Sequence, residues 1–302
     1  MKKMRLPLIL VCALAVLGII LGCFFDLSIS QAIASSTNGF GLTVSVISPT
    51  IAFTCVCIFV GGLIALGVQK ERKLWLRIIF FIVAIAVFAG SVYLAGAEYF
   101  GRNGFYQAAP SFLGQLIAAI PLAGGAVLGF FLFKDNKNPY AWVIIAIFLI
   151  VVALLLVGPA LSMKNIMHRP RYRAIAATGV EFHAWWQPCK NYKELMETYN
   201  LAKEEFSSSP SGHTAMASFT LVTATFLPFV CPKLRKAQIP LFIGATAFCL
   251  LLAFSRILAA AHFLTDVSSG LLISALLTLI ANEIVIHVKP FHQDEAKLEE
   301  SK

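Results

Sequence analysis

The sequence predicts an all-α fold: a polytopic transmembrane helical bundle of about eight spans, with both termini on the inner side of the membrane (N-in, C-in). Three observations predict it. The chain is 59% hydrophobic and 13% charged over 302 residues, with a mean hydropathy of +0.82, a balance outside that of soluble domains. Eight apolar runs each reach the roughly 20 residues needed to cross a hydrocarbon core of about 30 Å. Lys and Arg are unevenly divided between alternate connections, the pattern that sets orientation in a bilayer.

The runs cover residues 6–25, 43–67, 74–98, 111–133, 139–163, 213–231, 238–256 and 264–287, and they leave no stretch for a soluble domain. With the N-terminus inside, the inner segments are the Met1–Arg5 start, Gln69–Arg77, Lys134–Asn138, Pro232–Lys236 and the tail after Val288. These hold fifteen of the 24 Lys and Arg. Eight of the remaining nine lie between Lys164 and Arg256, and Arg102 is the ninth. The net charge of +9 is therefore not read as a nucleic-acid surface. The expected partner is the lipid bilayer, and the outer charge is concentrated in one region that needs its own explanation.

The chain divides into N-terminal transmembrane helices of no assigned role (1–138), core helices that include an outer loop at 165–209 (139–288), and a cytoplasmic tail (289–302). The connection Asp26–Gly41 is rich in Ser and Ala and is expected to lie along the membrane surface as a short helix. Gly125 and Gly129, at helical spacing, are expected to be close helix contacts. Ile20-Leu21-Gly22-Cys23 after a basic start resembles a lipoprotein signal. Bulky Phe24 and Phe25 continue the apolar run, which favours an uncleaved signal-anchor helix. The seven cysteines show no metal-ligand spacing and mostly read as small buried hydrophobes. Cys189 and Cys23 alone approach the outer face, and both are expected as free thiols. The 165–209 loop carries Trp185, Trp186, Tyr192 and Tyr199, types suited to headgroup depth, with six basic residues and five Glu. A rim around a lipid site and an ordinary outer loop share that composition.

Three segments combine basic, histidine and small residues where apolar helices end. They are Lys164-Asn165-Ile166-Met167-His168-Arg169-Pro170-Arg171, Pro210-Ser211-Gly212-His213, and Ser255-Arg256 followed by His262 and Asp266. Charge counting puts all of these ends on the outer face, so the segments can meet in one pocket. The residue types fit a phosphoryl-transfer site that needs no metal or cofactor, because such transfer rests on positioning and on stabilising charge over three oxygens. Lys164, Arg171 and Arg256 supply positive charge, the arginines through a planar fork. Ser211 and Gly212 begin a helix, so their backbone N–H groups can face an anion. His262 and Asp266, four apart, share a helix face; His262 is expected as nucleophile and Asp266 as the carboxylate orienting it. His213 is expected to protonate the leaving oxygen and then activate water. Each motif alone is weak, since single histidines and snorkelling cations are common at helix ends; the combination is not.

At these residues the chain resembles the type 2 phosphatidic acid phosphatase superfamily, whose signature is K-x6-R-P, P-S-G-H and S-R-x5-H-x3-D. Residues 210–213 and 255–266 match the last two parts in full. The resemblance covers Lys164 to Asp266 and the adjoining spans, and implies the same nucleophile, acid and phosphate ligands, metal-independent chemistry and a helical core. One departure stands in the first part, where Tyr172 occupies the place of the family's Pro. A rival register uses Arg169-Pro170. Seven helical steps return Arg171 to about the face of Lys164, whereas five put Arg169 about 140° away, so Arg171 is preferred and Arg169 kept as the alternative.

The function expected is hydrolysis of a membrane lipid phosphate monoester or diphosphate, of the phosphatidic acid, phosphatidylglycerol phosphate or polyprenyl diphosphate class. It would occur at the extracytoplasmic face of the plasma membrane through a phosphohistidine. Transfer of the phosphate to a sugar or lipid acceptor is the alternative enzyme, and a transporter or scaffold with an unused site the non-catalytic one.

Overall fold

The computed structural model describes residues 4–100, 111–136, 138, 140–161 and 163–287; Arg102 and the 289–302 tail lie outside them. The described residues form helices joined by turns and loops, with no strand. In order they are α1 (Arg5–Ile33), α2 (Gly39–Val68), α3 (Leu74–Phe100), α4 (Ser111–Phe133), α5 (Ala141–Leu161), α6 (Lys164–Met167), α7 (Tyr172–Thr178), α8 (Tyr192–Thr198), α9 (Gly212–Ala217), α10 (Phe219–Val230), α11 (Gln238–Leu258) and α12 (Leu264–His287). Eight helical stretches are long and apolar enough to cross a membrane, with α9 and α10 together making the sixth. The protein is thus the expected all-α transmembrane bundle.

Hydrogen bonds at both ends show that successive spans run in alternate directions. At one end Arg5 at the start of α1 pairs with Glu283 near the end of α12, and Asn136 after α4 donates to the Val230 carbonyl at the end of α10. At the other, Asp26 accepts from the Thr265 amide at 3.0 Å, and Ser45 near the start of α2 meets Arg256 near the end of α11. The second end therefore gathers the C-terminal ends of α1, α3, α5 and α11 with the N-terminal ends of α2, α4, α9 and α12.

The main apolar core lies where α2 is enclosed by α4, α5 and α10. Phe59 stacks on Phe148 with centroids 3.7 Å apart, and Phe53 meets Phe219 edge-on at 5.4 Å. Elsewhere large apolar side chains such as Phe24, Ile85 and Ile120 face outward, as surfaces in contact with hydrocarbon do. The glycines of α2 and α4 let the two backbones touch. A Cβ on Gly129 would sit 1.8 Å from the Ile58 carbonyl oxygen, and one on Gly61 1.9 Å from that of Ala126.

One expectation is corrected. Asp26–Gly41 is not a surface segment: α1 continues to Ile33, the connection is a short turn, and Asn38 caps α2 through Gly41 N–H at 2.8 Å. The physical reason is Asp26, which has buried partners that hold the helix in place beyond its apolar run. The sixth span falls where expected, at Gly212–Val230, with Ser218 a single turn residue between α9 and α10. The seven cysteines are free thiols; Cys23 Sγ accepts from Trp185 Nε1 at 3.3 Å.

Candidate active site

Lys164 and Arg171 reach a common cavity by a route other than a helix. α6 lasts one turn and ends at His168, whose left-handed backbone (φ 43°, ψ 41°) redirects the chain. Pro170 keeps the residue before it out of the helical region, and Arg171 is extended (φ −76°, ψ 151°) before α7 begins. No helix runs from Lys164 to Arg171, so helical phase is not what brings the two side chains together. Both side chains nevertheless line a cavity of about 460 Å³, together with Gly212, His213 and His262. Ala97 and Glu98 of α3 line it as well.

His262 lies in the turn between α11 and α12, and its Nδ1 donates to the Ser208 carbonyl oxygen at 2.7 Å. Asp266 Oδ2 is 3.9 Å from that nitrogen, too far for a hydrogen bond. The expectation that Asp266 directly orients His262 is corrected: the direct partner is a backbone carbonyl. Asp266 acts one bond further out. Its Oδ2 accepts from Ser208 Oγ at 2.5 Å and from the Phe263 amide at 2.9 Å, so it fixes both chain segments that hold the imidazole. The cause is local, since α12 starts at Leu264 and turns Asp266 back to cap the N–H of Phe263 instead of sharing a helix face with His262.

Arg169 does not line the cavity. Its guanidinium is buried, donating to Asp266 Oδ1 at 2.7 Å, Asp26 Oδ2 at 2.9 Å and Thr265 Oγ1 at 2.8 Å. It also packs on the Phe263 ring, 4.2 Å from the centroid. The alternative register for the phosphate-binding arginine is corrected on that ground, because Arg169 is consumed by two carboxylates.

Ser211 is not among the residues that line the cavity: its amide donates to the Asp266 carbonyl at 2.9 Å and its Oγ caps α9, accepting from Thr214 N–H at 3.3 Å. Gly212 does line it, and a Cβ there would meet Lys164 Nζ at 3.5 Å. Arg256 is buried and is not among the residues that line the cavity; its Nη1 donates to Ser45 Oγ at 2.5 Å. Its Nε and Nη2, the Nε of Arg171 and the Nε2 of His213 are buried nitrogens without a hydrogen-bond partner among the described residues. Arg173, also on the cavity, pairs with Glu205 at 2.6 Å.

Burial, then the charge of Arg171, pushes Lys164 down to about 8. Burial, then Arg173, lowers Arg171 to about 10. Burial, reinforced by Arg171, Arg256 and Lys164, holds His262 well below the usual imidazole range, so this histidine is neutral at pH 7. A neutral imidazole whose Nδ1–H is donated to a carbonyl carries its lone pair on Nε2.

Sequence reasoning missed Asp26, Glu98 and Ser208. The first two had a signal, since a carboxylate near the end of an apolar span marks a site by default. Ser208 acts through its carbonyl and had none.

No curated protein and no solved structure matches the chain. Residues 142–288 match the family model described as PAP2 superfamily, and this region, which carries every cavity-lining residue named above except Ala97 and Glu98, belongs to that superfamily.

Proposed function

We propose that the protein is a membrane phosphatase that hydrolyses a lipid phosphate monoester or diphosphate at the extracytoplasmic face through a phosphohistidine. The observation that carries the reading is the cavity shared by neutral His262, His213, Lys164 and Arg171, a nucleophile and a proton donor beside charges suited to phosphate oxygens. The partnerless nitrogens of Arg171 and Arg256 support an anionic ligand, because buried donors normally have acceptors. The cavity's place at the ends of spans, with Glu98 and Gly212 both at span termini, suits a phosphate at headgroup depth whose apolar chains remain in the bilayer.

In this reading His262 Nε2 forms an N–P bond as the P–O bond to the lipid breaks, and His213 gives its proton to the departing oxygen. His213 then takes a proton from water as the water oxygen attacks phosphorus, releasing inorganic phosphate and restoring His262. Lys164, Arg171 and Arg256 hold the equatorial oxygens throughout, with no metal required.

Phosphate release by purified His262→Ala and His213→Ala proteins, with EDTA present, tests this. Loss of at least about a hundredfold in each, with the wild type indifferent to EDTA, is the expected result. Full activity in either variant, or loss of wild-type activity to EDTA, overturns it.

A further inference from the structure

The helices before residue 142 reach the cavity through Glu98 of α3, a carboxylate the reading above does not use. Glu98 Oε2 stands 3.6 Å from His213 Nε2, beyond hydrogen-bond length, and that nitrogen has no hydrogen-bond partner among the described residues. Lys164 and Arg171 share the cavity with His213, and cations disfavour a protonated imidazole. A general acid must nonetheless keep its proton until the leaving oxygen arrives. A carboxylate at this distance favours the imidazolium without binding its proton.

We propose that Glu98 is a positioning residue for His213, holding the Nε2 proton in place by charge so that it can pass to the leaving oxygen. This rests on His213 being the acid of the proposed reaction. As the P–O bond breaks, the proton moves from Nε2 to the departing oxygen, and Glu98 remains a carboxylate throughout. The spans before residue 142 would thus contribute to the chemistry as well as to the bundle.

Leaving-group dependence tests it, because an alkyl phosphate needs a proton on its departing oxygen and p-nitrophenyl phosphate does not. In Glu98→Gln, kcat/KM should fall about tenfold or more for the alkyl ester and stay within about twofold of wild type for the nitrophenyl ester. Glu98→Asp keeps the charge and should recover most of the alkyl-ester rate. Equal losses with both esters, no loss with either, or an Asp variant as slow as the Gln variant overturns the proposal. Failure of the underlying reading is distinguishable: His213→Ala would then retain alkyl-ester turnover, whatever the Glu98 variants do.

Discussion

Arg169 and Asp266 form a buried ion pair, Nη1 to Oδ1 at 2.7 Å, with neither side chain exposed to solvent. The same guanidinium holds Asp26 of α1 at 2.9 Å, so one arginine ties the first span to the last at the level of the cavity. Replacing Arg169 by Met would strand two buried carboxylates. The expected cost is about 3–5 kcal/mol of stability, read as a fall in the detergent unfolding midpoint. Asp26→Asn should cost less, because Asp266 still balances the arginine. If Arg169→Met were as stable as wild type, the pair would not hold the spans together.

Arg171 should behave differently although it lies two residues away. Its side chain lines the cavity, and a charge-assisted contact to phosphate contributes about 1.5–3 kcal/mol. Arg171→Ala should therefore raise the inhibition constant of inorganic phosphate about 10- to 100-fold while the unfolding midpoint stays near wild type. The opposite pattern in the Arg169 and Arg171 variants, stability lost in one and affinity in the other, is what separates the two registers.

Lys164 gives the affinity a pH dependence. With its ammonium held at about 8, it is cationic below that pH and loses its charge above it. Inorganic phosphate is mainly the dianion throughout this range, so the change belongs to the protein. Affinity for phosphate should weaken as pH rises through about 8, by on the order of tenfold between pH 8 and 9.5. In Lys164→Gln the affinity should be weak at pH 7.5 and nearly flat above it. Titration of phosphate inhibition across this range checks both.

The spans were legible because a bilayer demands long apolar runs, and the last predicted span, 264–287, has the bounds of α12. The residue types at the cavity were legible for a related reason: His213, Lys164 and Arg171 are too polar to sit at apolar helix ends without cause. What sequence could not give was hydrogen-bond direction. Asp266 was read four residues from His262 as on a helix, whereas the helix starts between them and the imidazole turns to the Ser208 carbonyl. Asp26 and Glu98 escaped because their partners lie far along the chain, Arg169 at 143 residues' distance, and no local spacing records such a contact.

The contact between α2 and α4 gives a last prediction, independent of the chemistry. At Gly129 an added Cβ would sit 1.8 Å from the Ile58 carbonyl oxygen and 2.6 Å from its carbon, so the obstacle is backbone that cannot rotate away. The sequence expectation for Gly129 as a helix contact implies only that a small residue is favoured, whereas the geometry excludes even alanine without moving a helix. Gly129→Ala should cost about 1–3 kcal/mol, and Gly129→Leu more, measured by thermal unfolding in detergent. Gly124, on the same helix with nothing near its Cβ position, serves as the control. Gly124→Ala should be neutral or slightly stabilising, since alanine favours a helix over glycine by about 0.8–1 kcal/mol. Equal effects at the two positions would mean that the close approach of α2 and α4 does not limit stability.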